Sequence, residues 1–184
     1  MGQEVDIHAG LIERCQKRDS RAQYEIYQLY SKAMFNVSLR IVGSREDAED
    51  VLQDSFVSAF NGINRFRAES SFGAWLKRIV INRSLNHIRG RLHFSEVDTE
   101  ALGLAEEEPV TENPYEVTDV KRAMKELSDG YRTVFALYMF ENYSHKEIAE
   151  SLGISEGTSK SQLNRAKKRI QERLIEIGNE KRQA

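Results

Sequence analysis

The residues best suited to bind a partner molecule lie in the stretch HKEIAESLGISEGTSKSQLNRAKK, residues 145–168. Its second half is crowded with small polar and basic side chains. Amide and hydroxyl groups can hydrogen-bond to base edges, and Lys and Arg can neutralise phosphates. At about 100° per helical residue, these side chains cluster away from an apolar stripe. They are Lys160, Ser161, Asn164, Arg165 and Lys168. This cluster is predicted to meet a major groove; an ordinary solvated helix face is the alternative.

A helix-turn-helix is predicted to position this cluster. Ser144 and Glu147 have the spacing of a capping box that starts a first short helix. Gly153 is suited to the left-handed turn, and Ser155 to the N-cap of the second helix. The apolar stripe of the second helix is predicted to consist of Leu163, Ala166, Ile170, Leu174 and Ile177. Two further helices are predicted upstream, over 114–127, started by Pro114, and over 131–141.

A second group of polar and aromatic residues lies in NRFRAESSFGAWLKRIVINRSLNHIRGR, residues 64–91. A polar loop between Phe66 and Phe72 leads into a helix that begins near Ser70 or Ser71. Cations beside aromatic rings suit a single-stranded nucleic acid, because bases stack on rings while Lys and Arg neutralise phosphates. Taken singly, an aromatic residue such as Phe72 or Trp75 is more often part of the core; the combination of loop, aromatic rings and basic helix in one stretch favours the binding site.

The clearest predicted helix, SREDAEDVLQDSFVSAFNGI, occupies 44–63 and is capped by Ser44 and Asp47. One face is apolar, and the opposite face carries acidic and amide side chains, including Asp50, Gln53 and Asp54. Two helices are predicted before it, in LIERCQKR and in RAQYEIYQLYSKAMFNVSLRIVG, the latter ending at Gly43.

Charge divides the chain into three parts, although the net charge is only -2. Residues 10–91 carry fourteen Lys and Arg against nine Asp and Glu, and residues 120–184 carry thirteen against nine. Residues 92–119 carry nine acidic residues, no Lys or Arg and both prolines, which favours an extended acidic linker. The sequence shows no phosphate-binding Gly-rich loop, nucleophile constellation or metal-spaced Cys/His cluster, so no enzyme activity, cofactor or metal is expected.

Three motifs in order resemble the extracytoplasmic-function group of bacterial sigma factors, the compact two-domain members of the sigma-70-like family. They are DAEDVLQDSFVSAF, FRAESSFGAWLKRIVINRSLNHIR and LSDGYRTVFALYMFENYSHKEIAESLGISEGTSKSQLNRAKKRI. The resemblance covers nearly all of residues 10–178. It implies an all-α fold with two small helical domains: a region-2-like domain over 10–91, the flexible acidic linker over 92–119, and a region-4-like helix-turn-helix domain over 120–184.

The resemblance also implies a function and its partners. The chain would bind core RNA polymerase, direct it to specific promoters and melt the minus-10 element without ATP. The partners would be promoter DNA, the beta-prime clamp helices, the beta flap and an anti-sigma factor. The linker would run toward the RNA exit path. The N-terminus MGQEVDIHAG lacks signal-peptide features and no apolar run is long enough to cross a membrane, so cytoplasmic residence is expected.

The family's binding sites carry over to three sets of residues. The minus-35 element would be bound by Thr158, Lys160, Ser161, Asn164, Arg165 and Lys168. The minus-10 element would be bound by Phe66, Arg67, Ser70, Phe72, Trp75, Lys77, Arg78, Asn82 and Asn86. Polymerase would be bound by Asp50, Gln53, Asp54 and Phe56.

Two positions depart from the family pattern. Ser159 replaces an apolar residue, which predicts weaker helix packing, and Gln162 replaces a common arginine, which predicts one fewer phosphate contact. Two other functions remain open: a dimeric helix-turn-helix regulator that binds an operator without core polymerase, and a helical interaction protein that has lost DNA binding. The first leaves the acidic helix and the aromatic-basic stretch unexplained. The second would be favoured if Lys160 and Arg165 were buried.

Overall fold

Helices account for all the regular secondary structure in the residues that this computed structural model describes, 8–94 and 116–183. The all-α prediction is therefore confirmed for this part of the chain. The chain separates into two units between Gly90 and Arg91. Residues 95–115, which form most of the predicted acidic linker and include Pro114, lie outside the described residues.

The N-terminal unit is built from four α-helices. They are α1 (Ala9–Gln16), α2 (Ser20–Val42), α3 (Arg45–Gly62) and α4 (Phe72–Ile88), with single 3-10 turns at Ile63–Arg65 and Arg89–Arg91. Capping follows the sequence: Gly43 ends α2 at a φ of 79°, and the Ser44 hydroxyl accepts the Asp47 N–H at the start of α3. The Ser71 hydroxyl likewise accepts the Ala74 N–H and sets the start of α4.

Helices α2, α3 and α4 pack against one another around a largely aliphatic core, in which Ile41 and Leu76 are fully buried. Small residues occupy the contact between α2 and α4. Ser84 donates a hydrogen bond to the Val80 carbonyl at 2.8 Å and lies 3.2 Å from the Ser38 hydroxyl. Both buried serines therefore have hydrogen-bond partners, and their small size allows the two helices to approach closely.

The C-terminal unit contains four further helices: α5 (Val117–Lys125), α6 (Asp129–Met139), α7 (His145–Leu152) and α8 (Glu156–Gln183). The helix predicted over 114–127 begins instead at Val117, where Glu116 is the N-cap and its N–H bonds to the Asp119 carboxylate. The helix predicted over 131–141 runs from 129 to 139. Gly153 has the predicted left-handed conformation, with a φ of 69°.

Helix α8 is held to the rest of its unit by the apolar stripe and by ion pairs. All five predicted stripe residues, Leu163, Ala166, Ile170, Leu174 and Ile177, are buried. Beyond the helix-turn-helix, Arg173 donates hydrogen bonds to Glu126 of α5 and to Glu176 and Glu180 of α8, at 2.7, 2.9 and 3.0 Å. These carboxylates raise the pKa of the Arg173 guanidinium. The ion pairs thus connect the second half of α8 to α5.

Candidate nucleic-acid interface

The helix-turn-helix formed by α7 and α8 has the caps that the sequence predicts. The Ser144 N–H donates to Glu147 Oε2 at 2.8 Å, and the Glu147 N–H donates to Ser144 Oγ at 3.3 Å, which completes the capping box. At the start of α8, Ser155 Oγ accepts the Thr158 N–H at 2.9 Å. Both helix starts are therefore fixed by local side chains.

The first turns of α8 present the predicted cluster to solvent. Lys160, Asn164 and Lys168 are exposed, while Ser161 and Arg165 are partly buried. Opposite them lie buried residues of the stripe, so this side of α8 is open within its unit. Lys167 is also exposed beside Lys160 and was missed, although its spacing of seven residues from Lys160 indicates the same face.

Thr158 takes part in the N-terminal cap of α8. Its hydroxyl lies 2.9 Å from that of Ser155, and its N–H is the donor of the cap. Its part-buried side chain therefore orders the start of α8. Ser161 donates to the Thr158 carbonyl at 3.0 Å and keeps its oxygen lone pairs for accepting further hydrogen bonds.

The two positions that depart from the family pattern are both buried. Ser159 is fully buried, and its hydroxyl lies 2.9 Å from His145 Nδ1, so it links α7 to α8 by a polar contact. The His145 ring also stacks on Tyr138, with centroids 4.7 Å apart. Burial lowers the pKa of His145, and the charge of Lys160 lowers it further.

The side chain of Gln162 lies on the inner side of α8. Its side chain is 1% exposed, so position 162 faces the interior and not the predicted DNA side. The side chain present at position 162 therefore packs inside the unit. The Gln162 Nε2 group has no hydrogen-bond partner among the described residues. An amide buried in this way destabilises the folded state.

In the N-terminal unit, the loop 67–71 is flanked by an aromatic cluster. Phe66 contacts Phe72 and Trp75, with ring centroids 5.6 and 5.5 Å apart, and Phe72 contacts Trp75 at 5.5 Å. Arg67 and Ser70 are exposed on the loop, and Phe66 and Trp75 are partly exposed. These two rings therefore have surface that a base could contact.

Phe72 must be removed from the set of rings that could contact DNA directly, because it is fully buried. It packs beneath Phe66 and Trp75 and so supports the surface that those rings present. Sequence alone left its position open because an aromatic residue at the first turn of a helix can point to either side.

Helix α4 carries the remaining members of the predicted single-strand site on two different sides. Arg78, Asn82 and Asn86 are exposed and share one side at a spacing of four residues. Lys77 is only partly exposed and falls in line with the buried Ile81 and with Ser84 and Ile88. Lys77 therefore lies on a different side of α4 from these three residues.

A polar cleft next to α4 was not predicted. It lies between the C-terminal half of α3, the following 3-10 turn and α4. Its lining residues are Asp54, Val57, Ser58, Asn61, Gly62, Arg65 and Arg83. The contribution of Asn61, Arg65 and Arg83 depends on how the two helices pack and has no signal in local spacing.

The acidic face of α3 is exposed as expected, at Asp50, Gln53 and Asp54. Val57 is 60% exposed at helical spacing from Gln53 and Asp54, and adds an apolar group that the prediction missed. Phe56 does not belong to this face: it is 4% exposed and contacts Tyr27 across the core, with centroids 4.8 Å apart. Its predicted contact with a protein partner is corrected to core packing.

Residues 8–94 and 116–183 contain no group of His, Cys, Asp and Glu that could hold a metal ion. Within the same ranges, every helix is too short or too polar to cross a membrane.

Known proteins resemble the chain along most of its length. Residues 26–92 match the family model of sigma-70 region 2, and residues 118–170 match that of sigma-70 region 4. The RNA polymerase sigma-H factor of Pseudomonas aeruginosa is 30% identical over 178 residues, covering 89% of this chain and 92% of that protein. The ECF RNA polymerase sigma factor SigW of Bacillus subtilis is 28% identical, covering 90% and 96%.

A solved structure shares the fold. The sigma factor RpoE from Bartonella quintana, in complex with the anti-sigma factor NepR, superposes with a TM-score of 0.53 at 24% identity. The alignment covers 83% of this chain and 96% of that one.

Proposed function

Because the chain belongs to the extracytoplasmic-function group of the sigma-70 family, we propose that it binds core RNA polymerase and directs it to specific promoters. It is an initiation factor and not an enzyme. The observation that carries the proposal is the order of the two matched regions, each with an exposed face suited to its own partner. One face is basic and lies on α8, and another is acidic and lies on α3.

The open side of α8 binds the minus-35 element as duplex. Lys160 and Lys168 contact phosphates, and Lys167 adds a third cation on the same side. Asn164 is suited to a bidentate hydrogen bond with adenine, while phosphate contacts set the register of the helix in the groove. The buried stripe and the polar link between Ser159 and His145 hold α8 in place against α7.

The loop 67–71 and the exposed side of α4 bind the minus-10 element as a single strand. Phe66 and Trp75 offer stacking surface, and Arg78, Asn82 and Asn86 offer cationic and amide groups on the neighbouring side of α4. Extracting a base from the duplex costs a few kcal/mol. Stacking contributes about 1–3 kcal/mol for each base, which is sufficient to offset that cost without ATP.

The acidic face of α3 binds the clamp helices of the polymerase beta-prime subunit. Asp50 and Asp54 supply charge, Gln53 supplies hydrogen bonds, and Val57 supplies an apolar centre. Charge complementarity at such a surface contributes to the association rate and to specificity. The C-terminal unit contacts the beta flap.

The proposed function includes control of the chain by an anti-sigma factor. The Bartonella quintana relative was solved with the anti-sigma factor NepR. A comparable partner of this chain would prevent initiation by covering the surfaces that bind polymerase and promoter. Since those partners are in the cytoplasm, the chain acts there.

Transcription from a genomic fragment library tests the proposal. Purified core polymerase is assayed with and without the chain, and every new start site is mapped. We expect new starts that share two upstream elements at a constant spacing. If the core neither binds the chain nor gains start sites, the proposed function is wrong.

Forked DNA carrying the mapped elements then tests each surface. Holoenzyme should bind a fork with a single-stranded minus-10 segment more tightly than the matched full duplex. Replacing the minus-35 sequence should weaken binding to both DNAs by the same factor. Equal affinity for fork and duplex would contradict the single-strand role of α4 and its loop.

A further inference from the structure

A series of ring contacts leads from the start of α1 to the loop 67–71. His8 and Tyr30 contact each other edge to face, with centroids 5.5 Å apart, and His8 Nδ1 lies 2.9 Å from the Tyr30 hydroxyl. On its other side, Tyr30 contacts Phe72 at 5.5 Å with an interplanar angle of 64°. Tyr30 is thus held both by a hydrogen bond and by two ring edges.

The position of Tyr30 places it under the junction between the loop and α4. Phe72 is the first residue of α4 and is fully buried beneath Phe66 and Trp75. Gly73 follows, and a Cβ at this position would lie 3.0 Å from Tyr30 Cε1. The missing side chain of Gly73 therefore leaves the room that the Tyr30 ring occupies.

The loop itself needs such support. Ala68 has a φ of 55°, an unfavourable left-handed conformation for a residue with a side chain. Arg67 and Glu69, whose side chains are about four-fifths exposed, form a pair at 3.9 Å. An exposed pair at that distance orders a loop only weakly. The contacts at its two ends, between the Phe66 and Phe72 rings and at the Ser71 cap of α4, therefore hold the loop.

We propose that Tyr30, oriented by His8, is a positioning residue for promoter melting. It acts through Phe72, which sets the orientation of Phe66 and Trp75 toward the separated strand. The inference rests on the proposed function of the loop in melting the minus-10 element. Tyr30 itself does not contact DNA.

Three substitutions in the full chain separate the hydrogen bond from the ring contact. Tyr30→Phe and His8→Phe each remove the hydrogen bond while keeping both rings. Tyr30→Leu keeps an apolar side chain but removes the ring edge on Phe72. Tyr24→Leu is the matched control, because Tyr24 is 64% exposed on the same helix.

Each variant is assembled into holoenzyme with core polymerase and bound to forked DNA. The fork carries 2-aminopurine at the minus-10 position that becomes unstacked, so its fluorescence reports base extraction. Aromatic pairs contribute enough to change affinity by about two- to tenfold. We expect Tyr30→Leu to weaken fork binding by about that factor and to lower the fluorescence of the saturated complex. The two Phe variants should show smaller, equal losses, and Tyr24→Leu should match the wild type.

Core affinity and affinity for a minus-35 duplex should stay unchanged in all four variants. Trp75 fluorescence in urea should show every variant folded without denaturant, with Tyr30→Leu unfolding at a lower urea concentration because it loses the ring contact with Phe72. If Tyr30→Leu matches the wild type on the fork, or weakens core binding as much as fork binding, the positioning role is overturned. If the wild-type holoenzyme gives no fluorescence change on the fork and binds it no more tightly than the matched duplex, the proposed single-strand function of the loop is refuted instead, and the inference fails with it.

Discussion

Replacing the buried Gln162 with Met should stabilise the C-terminal unit. Gln162 is 1% exposed, and its Nε2 group has no hydrogen-bond partner among the described residues. A buried polar group without a partner costs about 1–3 kcal/mol. Met keeps an unbranched side chain of similar length and removes the amide, so Gln162→Met should stabilise the unit by about 1–2 kcal/mol. That corresponds to a factor of about 5 to 30 in the unfolding equilibrium.

Hydrogen–deuterium exchange of the full chain measures this effect locally. Peptides from α6 to α8 should exchange more slowly in Gln162→Met. Where exchange requires unfolding of the unit, the rate should fall by up to the factor of about 5 to 30 in the unfolding equilibrium. Peptides from α2 to α4 belong to the other unit and serve as an internal control. Gln171→Met, the same substitution at an exposed position of α8, should give no gain.

Two results would refute the reasoning about Gln162. Faster exchange in α6 to α8 would mean that the amide has a favourable contact that Met cannot replace. A loss of more than about threefold in minus-35 duplex affinity, near 0.7 kcal/mol, would mean that position 162 takes part in recognition and does not face the interior.

Three further predictions concern the exposed faces and His145. Lys168→Ala should weaken duplex binding for all sequences and reduce the slope of log affinity against log salt concentration by about one. Anisotropy titrations over a salt series measure this slope, and Lys125→Ala on α5 is the control. Asp54→Lys should weaken core binding by tenfold or more while leaving minus-35 duplex binding unchanged, because like charge replaces complementary charge; loss of both activities would contradict a local role. The folded-state pKa of His145 is lowered from its ordinary 6.5, so the unfolded chain binds more protons and stability falls as pH drops through 6.5 toward the folded pKa. Denaturation of the C-terminal unit at a series of pH values should show this slope, and His145→Gln should reduce it; a slope of opposite sign would contradict the burial of the imidazole.

The agreement on the cluster of α8 and the failures at Phe56 and Phe72 have different explanations. On α8, the apolar stripe is long enough to define the inner side, so the outer side follows from the helical period. On α3, the same period places Phe56 with the buried Leu52 and Ala59, so its assignment to the polymerase-binding residues went against its own helix. At the start of α4, the period does not fix Phe72, whose burial involves a contact with Tyr30 of α2, distant in sequence.

Local sequence by itself determined the helices, several of their caps and the identity of the family. Ser144, Gly153 and Ser155 act within one turn of their own position, so no distant contact is needed to predict them. Tertiary structure alone decided that Gln162 is buried and that Asn61, Arg65 and Arg83 line one cleft. A polar residue between two faces of a helix is buried only where another helix covers it, and the covering helices come from other parts of the chain.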